Sequence, residues 1–464
     1  MLYEGLTHLE ENGEITLGVA EKVEISEDKT TYLFHLKNSF WSDGTPVTAY
    51  DFERSWKTAL SPDFPSKSAE LLFPIKNAEE VKKGKREIES LGVKALDEKT
   101  LQVILTIPIP YFLELTSYCT YFPVPENQKN QLISNGPFKL HYWKYDDEII
   151  VKKNPYFWNA DQVAIDSIVI SIIHDEKTAL YLFEKNQLDW IGGSISTLPL
   201  DAIPSLKKMN RLKQKPIAGS TFCVFNTNQF PFTNANIRKA FSYSIDRESI
   251  TENIIQMGDV ATTAIIPPIL KEGISSLFFD IHNLSIARKH FDLGLKELGI
   301  TKEEFPHLIY NSFNSELHNK ISLALQNQWY KAFGIHIELE QLEFGVYLQK
   351  LQTRNFSFAQ MSWIAQYCDQ MNFLGRFFEK DSSRNYSGWE NAEYSLLLRK
   401  SSSLSNPERA DLLLQAETLL IDEMPIAPIS HFHAIYLEKP YVKNVIISPL
   451  GDVQFRNAYL STHE

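Results

Sequence analysis

The spacing of apolar residues divides this chain into short strands and helices. Residues 31–36 alternate around Leu33 and an aromatic pair, which predicts a strand. Trp41-Ser-Asp-Gly-Thr-Pro46 reads as a turn, punctuated by Asp-Gly. Thr48-Ala-Tyr-Asp51 has the form of a capping box with Asp in the place usual for Glu, and it opens a helix carrying Phe52, Ser55 and Trp56. Residues 101–105 predict a second strand. Asn234 is placed to cap a helix whose Ile237, Ala240, Phe241, Ser244 and Ile245 follow the i, i+3, i+4 pattern of one buried face. A longer helix is predicted over 316–333, with Leu317, Ile321, Leu325 and Trp329 on one stripe and Gly334 at its end. Ile335, Ile337 and Leu339 then alternate as a strand. Asn406-Pro-Glu408 starts a further helix, predicted to reach about Asp422, with Pro at its first position and Glu at the positive end of the dipole. Alternating strands and helices without an internal repeat predict an α/β architecture.

Composition narrows the function. At 464 residues the chain is long enough for more than one structural unit, and a core of ordinary size needs no disulfide or metal to hold it. A net charge of −12 excludes a nucleic-acid binder, which needs a basic footprint. The short cluster Lys82, Lys83, Lys85 and Arg86 is expected to be a solvated helix face or turn. Cys119, Cys223 and Cys368 contain no CxxC pair, so no zinc ribbon or thioredoxin-type site is expected. No run of about 18 apolar residues occurs, and Met1-Leu-Tyr-Glu-Gly-Leu is not a secretory leader. Aromatic residues make up 12% of the chain, a surplus that suits a cavity gripping variable ligands through flat surfaces.

Catalytic signatures are missing: there is no P-loop, GxGxxG, HExxH or GxSxG. Gly192-Gly193-Ser194 reads as a turn. His431 and His433 would face one side of a strand, as two zinc ligands can, but no third ligand is near in sequence; a pocket wall or core strand is expected. Asp146-Asp147-Glu148, between Trp143 and Ile149-Ile150-Val151, is expected to be a solvated hairpin turn, not an acid/base pair.

Four segments carry a resemblance. They are the stretch from Phe34 through Trp41-Ser-Asp-Gly-Thr-Pro-Val-Thr-Ala-Tyr-Asp51; Asn135-Gly-Pro-Phe-Lys-Leu with Trp143 and Asn154-Pro-Tyr-Phe-Trp158; Asn226 through Pro231-Phe232, then Ile237-Arg238-Lys-Ala240 and Ile245-Asp246-Arg247; and Trp363-Ile-Ala-Gln-Tyr-Cys-Asp369 with Phe373-Leu374. In this order the chain resembles the peptide-binding proteins of bacterial ABC importers, extracellular solute-binding family 5. Most of these positions are expected to be scaffold.

The resemblance implies a two-lobed α/β periplasmic binding protein fold of type II with an extra third lobe, hinged by two crossing strands. Residues 1–126 would form the extra lobe, 127–219 with 434–464 the first lobe, and 220–433 the second. The family's signal peptide and first strand would lie upstream of Met1. A cell-envelope location follows, with lipid anchoring decided in that upstream segment.

The implied function is substrate capture for an ABC importer, without catalysis, cofactor or metal. Short peptides would be held as an added strand and passed to permease subunits of the inner membrane, by a protein that is usually a monomer. The family's anchor for the peptide amino group falls on Gln366, three residues after Trp363. Asp369 either takes over this role or is a surface residue. Residues that meet the peptide carboxylate in some members align near Ile255, Leu351 and Gln360, leaving His318 as the remaining candidate. Trp363 is expected to wall the ligand backbone, with Tyr367, His431 and Phe432 as further pocket candidates. The loss of charged clamps points to a short or atypical peptide, and glutathione is one such cargo, because a neutral Gln can both donate and accept. Haem or nickel cargo has less support, from a single HxH. The alternatives are a truncated or repurposed binding protein with a chaperone-like or lost transport function and, last, a peptide or sugar hydrolase.

Overall fold

The computed structural model describes residues 1–126, 132–271 and 277–461. The chain divides into two compact units. One is Met1–Thr197 with Glu438–Glu464, and the other is Leu198–Leu437.

The first unit opens with a hairpin, β1 (Thr7–Leu9) and β2 (Ile15–Leu17). Strands β3 (Ala20–Ile25), β4 (Thr31–Leu36), β5 (Val93–Ala95) and β6 (Thr100–Ile104) form an antiparallel sheet in the order β3-β4-β6-β5. Helices α1 (Ala49–Leu60), α2 (Ala78–Lys82), α3 (Phe112–Leu115) and α4 (Glu176–Glu184) follow in chain order. Strands β7 (Phe138–Lys144), β8 (Glu148–Lys153) and β9 (Ser167–Ser171) make a three-stranded meander, and β10 (Trp190–Gly192) is short.

The local signals did what their chemistry dictates. Trp41 N–H donates to Thr45 O at 2.7 Å across a turn in which Gly44 holds φ +90°, a conformation that favours glycine. Thr48 N–H donates to the Asp51 carboxylate at 2.9 Å, half of the predicted capping box, and Phe52 and Trp56 face the core of this unit. There Trp56 Nε1 donates to Tyr121 O at 2.9 Å, and the two rings meet edge to face at 5.0 Å. Asp146 lies in the β7–β8 turn, as expected, and His174 bonds it from solvent at 2.6 Å. The basic cluster departs from a purely solvated face. Lys82 donates to the carbonyls of Ala59 (3.2 Å), Ser61 (2.8 Å) and Phe64 (2.6 Å), a cation closing the negative end of α1. Lys83 and Arg86 pair with Glu79 and Glu80.

The first residues of the chain are locked within this unit. The buried amide of Asn135 accepts from Glu4 N–H at 3.1 Å and donates to Glu4 O at 3.0 Å. The Glu4 carboxylate is buried between Trp158 Nε1 (2.6 Å) and Arg456 (2.9 Å), and burial raises its pKa.

The second unit contains β11 (Lys213–Phe225), β12 (Val260–Ala261), β13 (Leu308–Phe313), β14 (Ile337–Leu342), β15 (Phe358–Ile364) and β16 (Ile426–Glu438). They run β16-β11-β15-β13-β14, with β12 on β16. Among the described residues of this unit, only β13 with β14 and β13 with β15 pair in parallel. The helices are α5 (Ile203–Lys208), α6 (Ala235–Tyr243), α7 (Arg247–Ile250), α8 (Leu284–Leu298), α9 (Glu316–Phe333), α10 (Phe344–Gln352), α11 (Met371–Leu374), α12 (Ala392–Ser401) and α13 (Glu408–Glu423). The predicted caps of α6 and α9 are in place. Asn234 accepts from Ile237 N–H at 3.1 Å, and Gly334 ends α9 at φ +67°. At α13 the helix begins at Glu408, and Pro407 stands one place earlier than expected, at the cap.

Phe225, Phe232, Phe241, Tyr310, Trp329 and Phe358 pack the core of this unit. Two buried arginines pin its connections. Arg238 donates to Phe232 O at 2.7 Å and Glu423 O at 2.6 Å, and Arg247 donates to Pro428 O and Ile281 O, each at 2.7 Å. Burial pulls the Arg247 guanidinium down to about 9, still charged at neutral pH. The Arg238…Arg247 segment is therefore scaffold.

Candidate functional site

The candidate site grows from one strand edge. β15 pairs antiparallel with β11 from Gly219↔Ile364 to Phe225↔Phe358. Asn226 N–H donates to Ser357 O at 2.9 Å and Ala365 N–H to Ala218 O at 2.7 Å, so the odd-numbered residues of β15 aim their backbone groups at β11. Because the ladder alternates, the even-numbered ones aim the other way. On that other side β13 pairs only with Phe358 and Ala359. From Gln360 onward, among the described residues, no strand takes this edge. Gln360 O is engaged by the Tyr347 hydroxyl, which leaves Ser362 and Ile364 presenting main-chain donors and acceptors along an open edge. Exposure rises along the strand, from 1% at Gln360 to 43% at Ile364.

Trp363 stands between these two residues. Its Nε1 donates to Asn372 Oδ1 at 2.8 Å, and the Arg376 guanidinium lies 4.0 Å from the ring centroid. Arg384 lies 5.9 Å from the same centroid. The indole is thus fixed as a wall, held by a hydrogen bond at its edge and a cation on its face.

The turn after β15 carries three more of the expected residues. Gln366 is half-buried, Tyr367 is buried, and the Tyr367 carbonyl accepts from Asp369 N–H at 2.9 Å. Asp369 is not a surface residue. Its Oδ1 accepts from Arg409 at 2.7 Å and from Met371 N–H at 2.8 Å. This carboxylate already has a cation, so an amino group brought to it would compete with Arg409.

The register brings His431 into the same row. Ser220 of β11 lies opposite both Trp363 and His431, so the three side chains share one face of the sheet. Ser220 Oγ donates to Ile265 O at 2.9 Å and also meets His431 Nδ1 at 2.9 Å. With the serine hydrogen on Ile265 O, the histidine must donate through Nδ1–H. Burial, with Lys271 and His433 adding to it, pulls His431 down to about 3, so the ring is neutral. Among the described residues no group of three His, Cys, Asp or Glu is placed to hold a metal ion.

Phe432 sits at an irregularity. Between Pro216↔His433 and Ser220↔His431 the register shifts, and the extra residues of β11 bulge. The Phe432 ring lies on Gly219, where an added Cβ would come within 2.3 Å of Phe432 Cδ2. The backbone N–H of His433 is held at 3.3 Å by Asp259, whose other oxygen accepts from Ser430 Oγ at 3.2 Å. Burial pushes Asp259 up to about 7, against the opposing pull of the two hydrogen bonds and Lys207.

His318 lies apart from this row, at the start of α9. Its Nδ1 meets Ser315 Oγ at 2.7 Å, and its ring centroid is 3.9 Å from that of Phe313. Burial brings it down to about 4, so at neutral pH it offers a hydrogen bond and no positive charge to a carboxylate. Sequence reasoning missed Ser220, Gly219, Asp259, Tyr347, Asn372, Arg376 and Arg409. None stands in a local motif, and each matters through a partner distant in the chain.

A family model for bacterial extracellular solute-binding proteins, family 5, matches residues 14–385. The oligopeptide-binding protein OppA of Bacillus subtilis is 39% identical over 473 residues, covering 98% of this chain and 87% of that protein. The dipeptide-binding protein DppE of the same organism is 32% identical, covering 98% and 86%. Among solved structures, Listeria monocytogenes OppA bound to peptide superposes with a TM-score of 0.82 at 28% identity, covering 100% of this chain and 94% of that one. Haemophilus influenzae OppA in complex with RPPGFSPFR gives 0.85 at 28%, covering 99% and 93%. The likeness spans the whole chain and carries the two-lobed α/β fold of periplasmic binding proteins with it. By its sequence, the chain belongs to the bacterial extracellular solute-binding proteins, family 5.

Proposed function

We propose that this protein is the substrate-binding component of an ABC peptide importer, capturing short peptides in the cell envelope and delivering them to membrane permease subunits. The observation that carries this reading is the open edge of β15 at Ser362 and Ile364, with Trp363 fixed between them. An extended peptide completes such an edge by main-chain hydrogen bonds, which are blind to side-chain identity. Trp363, Tyr367, His431 and Phe432 would line the ligand, and Gln366 would offer it a neutral donor and acceptor. His318 would contribute a hydrogen bond only. Binding and release require no turnover. The expected lobe division, 1–126, 127–219 with 434–464, and 220–433, belongs to the same proposal.

The edge favours ordinary α-linked peptides over glutathione. A γ-linkage lengthens the backbone between successive amides and breaks the two-residue alternation that a strand edge requires. The test is thermal unfolding of the full chain with tri- to hexapeptides and, in parallel, glutathione. A peptide at 100 times its dissociation constant should add about 2.7 kcal/mol of stability. Stabilisation by glutathione alone would replace the cargo, and stabilisation by no peptide would remove the reading.

A further inference from the structure

The open edge of β15 has a definite end. Strand β13 leaves it after Ala359, so the next outward-facing acceptor is Gln360 O. That carbonyl is taken by the Tyr347 hydroxyl. Tyr347 comes from the first turn of α10, the helix that leads into β15. The turn is fixed by Glu343, whose carboxylate accepts from Gly345 N–H at 2.8 Å and Val346 N–H at 3.2 Å. The Tyr347 ring is buried and lies 6.2 Å from the Phe313 ring, at the end of β13. Tyr347 therefore occupies both the hydrogen-bonding position and the space that a further strand residue would need beside Gln360.

We propose that Tyr347 is a register stop, limiting the main-chain grip of this edge on an extended ligand to the two residues Ser362 and Ile364. This rests on the strand-addition reading above. Two outward carbonyls remain for ligand N–H groups. In either strand direction these are met by two ligand amides spaced two residues apart. Affinity from this edge thus stops growing once a peptide is long enough to supply both.

The experiment is a backbone N-methyl scan of hexa-alanine, with affinity for the full chain read by calorimetry. Each methyl removes one donor. The expected result is a loss of roughly fivefold at two positions two residues apart, with no third position in the same alternation. In Tyr347→Ala a third position, continuing the alternation, should become sensitive. A third sensitive position in the wild type overturns the proposal, as does an unchanged pattern in a folded Tyr347→Ala. Should that variant not fold, the wild-type scan decides alone. If hexa-alanine and all other peptides fail to bind the wild type, the peptide reading falls and this inference with it. Peptide binding with three or more alternating positions removes only the register stop.

Discussion

Arg409 donates to Oδ1 of Asp369 at 2.7 Å, and each side chain keeps no more than a tenth of its surface in water. The same oxygen accepts the Met371 N–H, so this pair fixes the turn that follows β15 and the start of α11. Removing one partner of a buried pair strands the other charge and costs about 3–5 kcal/mol. Asp369→Asn should lower the unfolding free energy toward that extent in urea titrations while leaving peptide affinity unchanged. A loss of affinity without a loss of stability would put Asp369 on the ligand instead.

Ile364 faces away from β11 with its backbone N–H, so proline there removes no rung of the sheet. Ile364→Pro should keep the wild-type melting temperature and weaken peptide binding by roughly three- to tenfold. Unchanged affinity in calorimetry would mean that the ligand does not use this edge.

Gly219 and Phe432 are coupled by contact, since a Cβ on one occupies the ring position of the other. Gly219→Ala should destabilise by about 1–3 kcal/mol through overpacking. Adding Phe432→Ala should recover part of that loss. Additive losses in the double-mutant cycle would show that the ring has another place to go.

His431 is neutral in the fold because its pKa lies near 3, below the ordinary value of an unfolded histidine. As pH falls below about 6.5, the unfolded chain takes up a proton that the folded one refuses, and stability falls by about 1.4 kcal/mol per pH unit. His431→Asn, which can still bond Ser220, should lose about 2 kcal/mol less than the wild type between pH 6 and 4.5. Equal slopes in denaturation curves would mean that His431 is solvated.

Asp259 acts with the opposite sign. Its folded pKa, near 7, is raised, so the fold keeps a proton that the unfolded chain has already released. Stability from this group is full at low pH and fades as pH climbs through 7. Asp259→Asn should therefore gain roughly 2–3 kcal/mol relative to the wild type between pH 5 and 7.5. Parallel curves across that window would place the ionised carboxylate in the native state.

What could be read from the sequence was local. Thr48 with Asp51, Asn234 with Ile237, and Gly334 at the end of α9 each act within a few residues, and each stands where its spacing put it. The family motifs were legible for the same reason: they are runs. Trp363 was singled out because it begins such a run. What surrounds it was hidden, since the open edge exists only because β13 diverges after Ala359 and Tyr347 comes in from another element. For Asp369 the sequence leaves two readings open, ligand anchor or surface residue, because its cation lies 40 positions further along. The pairing of His431 with Ser220 spans 211 positions, and no periodicity points across such a gap.

The ion pair between Glu4 and Arg456 has a consequence for the order of events during synthesis. Its two halves leave the ribosome 452 positions apart, whereas Leu198–Leu437, which lies between them, emerges as one uninterrupted stretch. That stretch can finish folding while the chain is still being made. The unit holding Glu4 must wait for the residues after Leu437, its buried carboxylate bonded by Trp158 but lacking its ion-pair partner until Arg456 arrives. A message cut short between Leu437 and Arg456 would encode the whole of Leu198–Leu437 and leave the other unit without its closing segment.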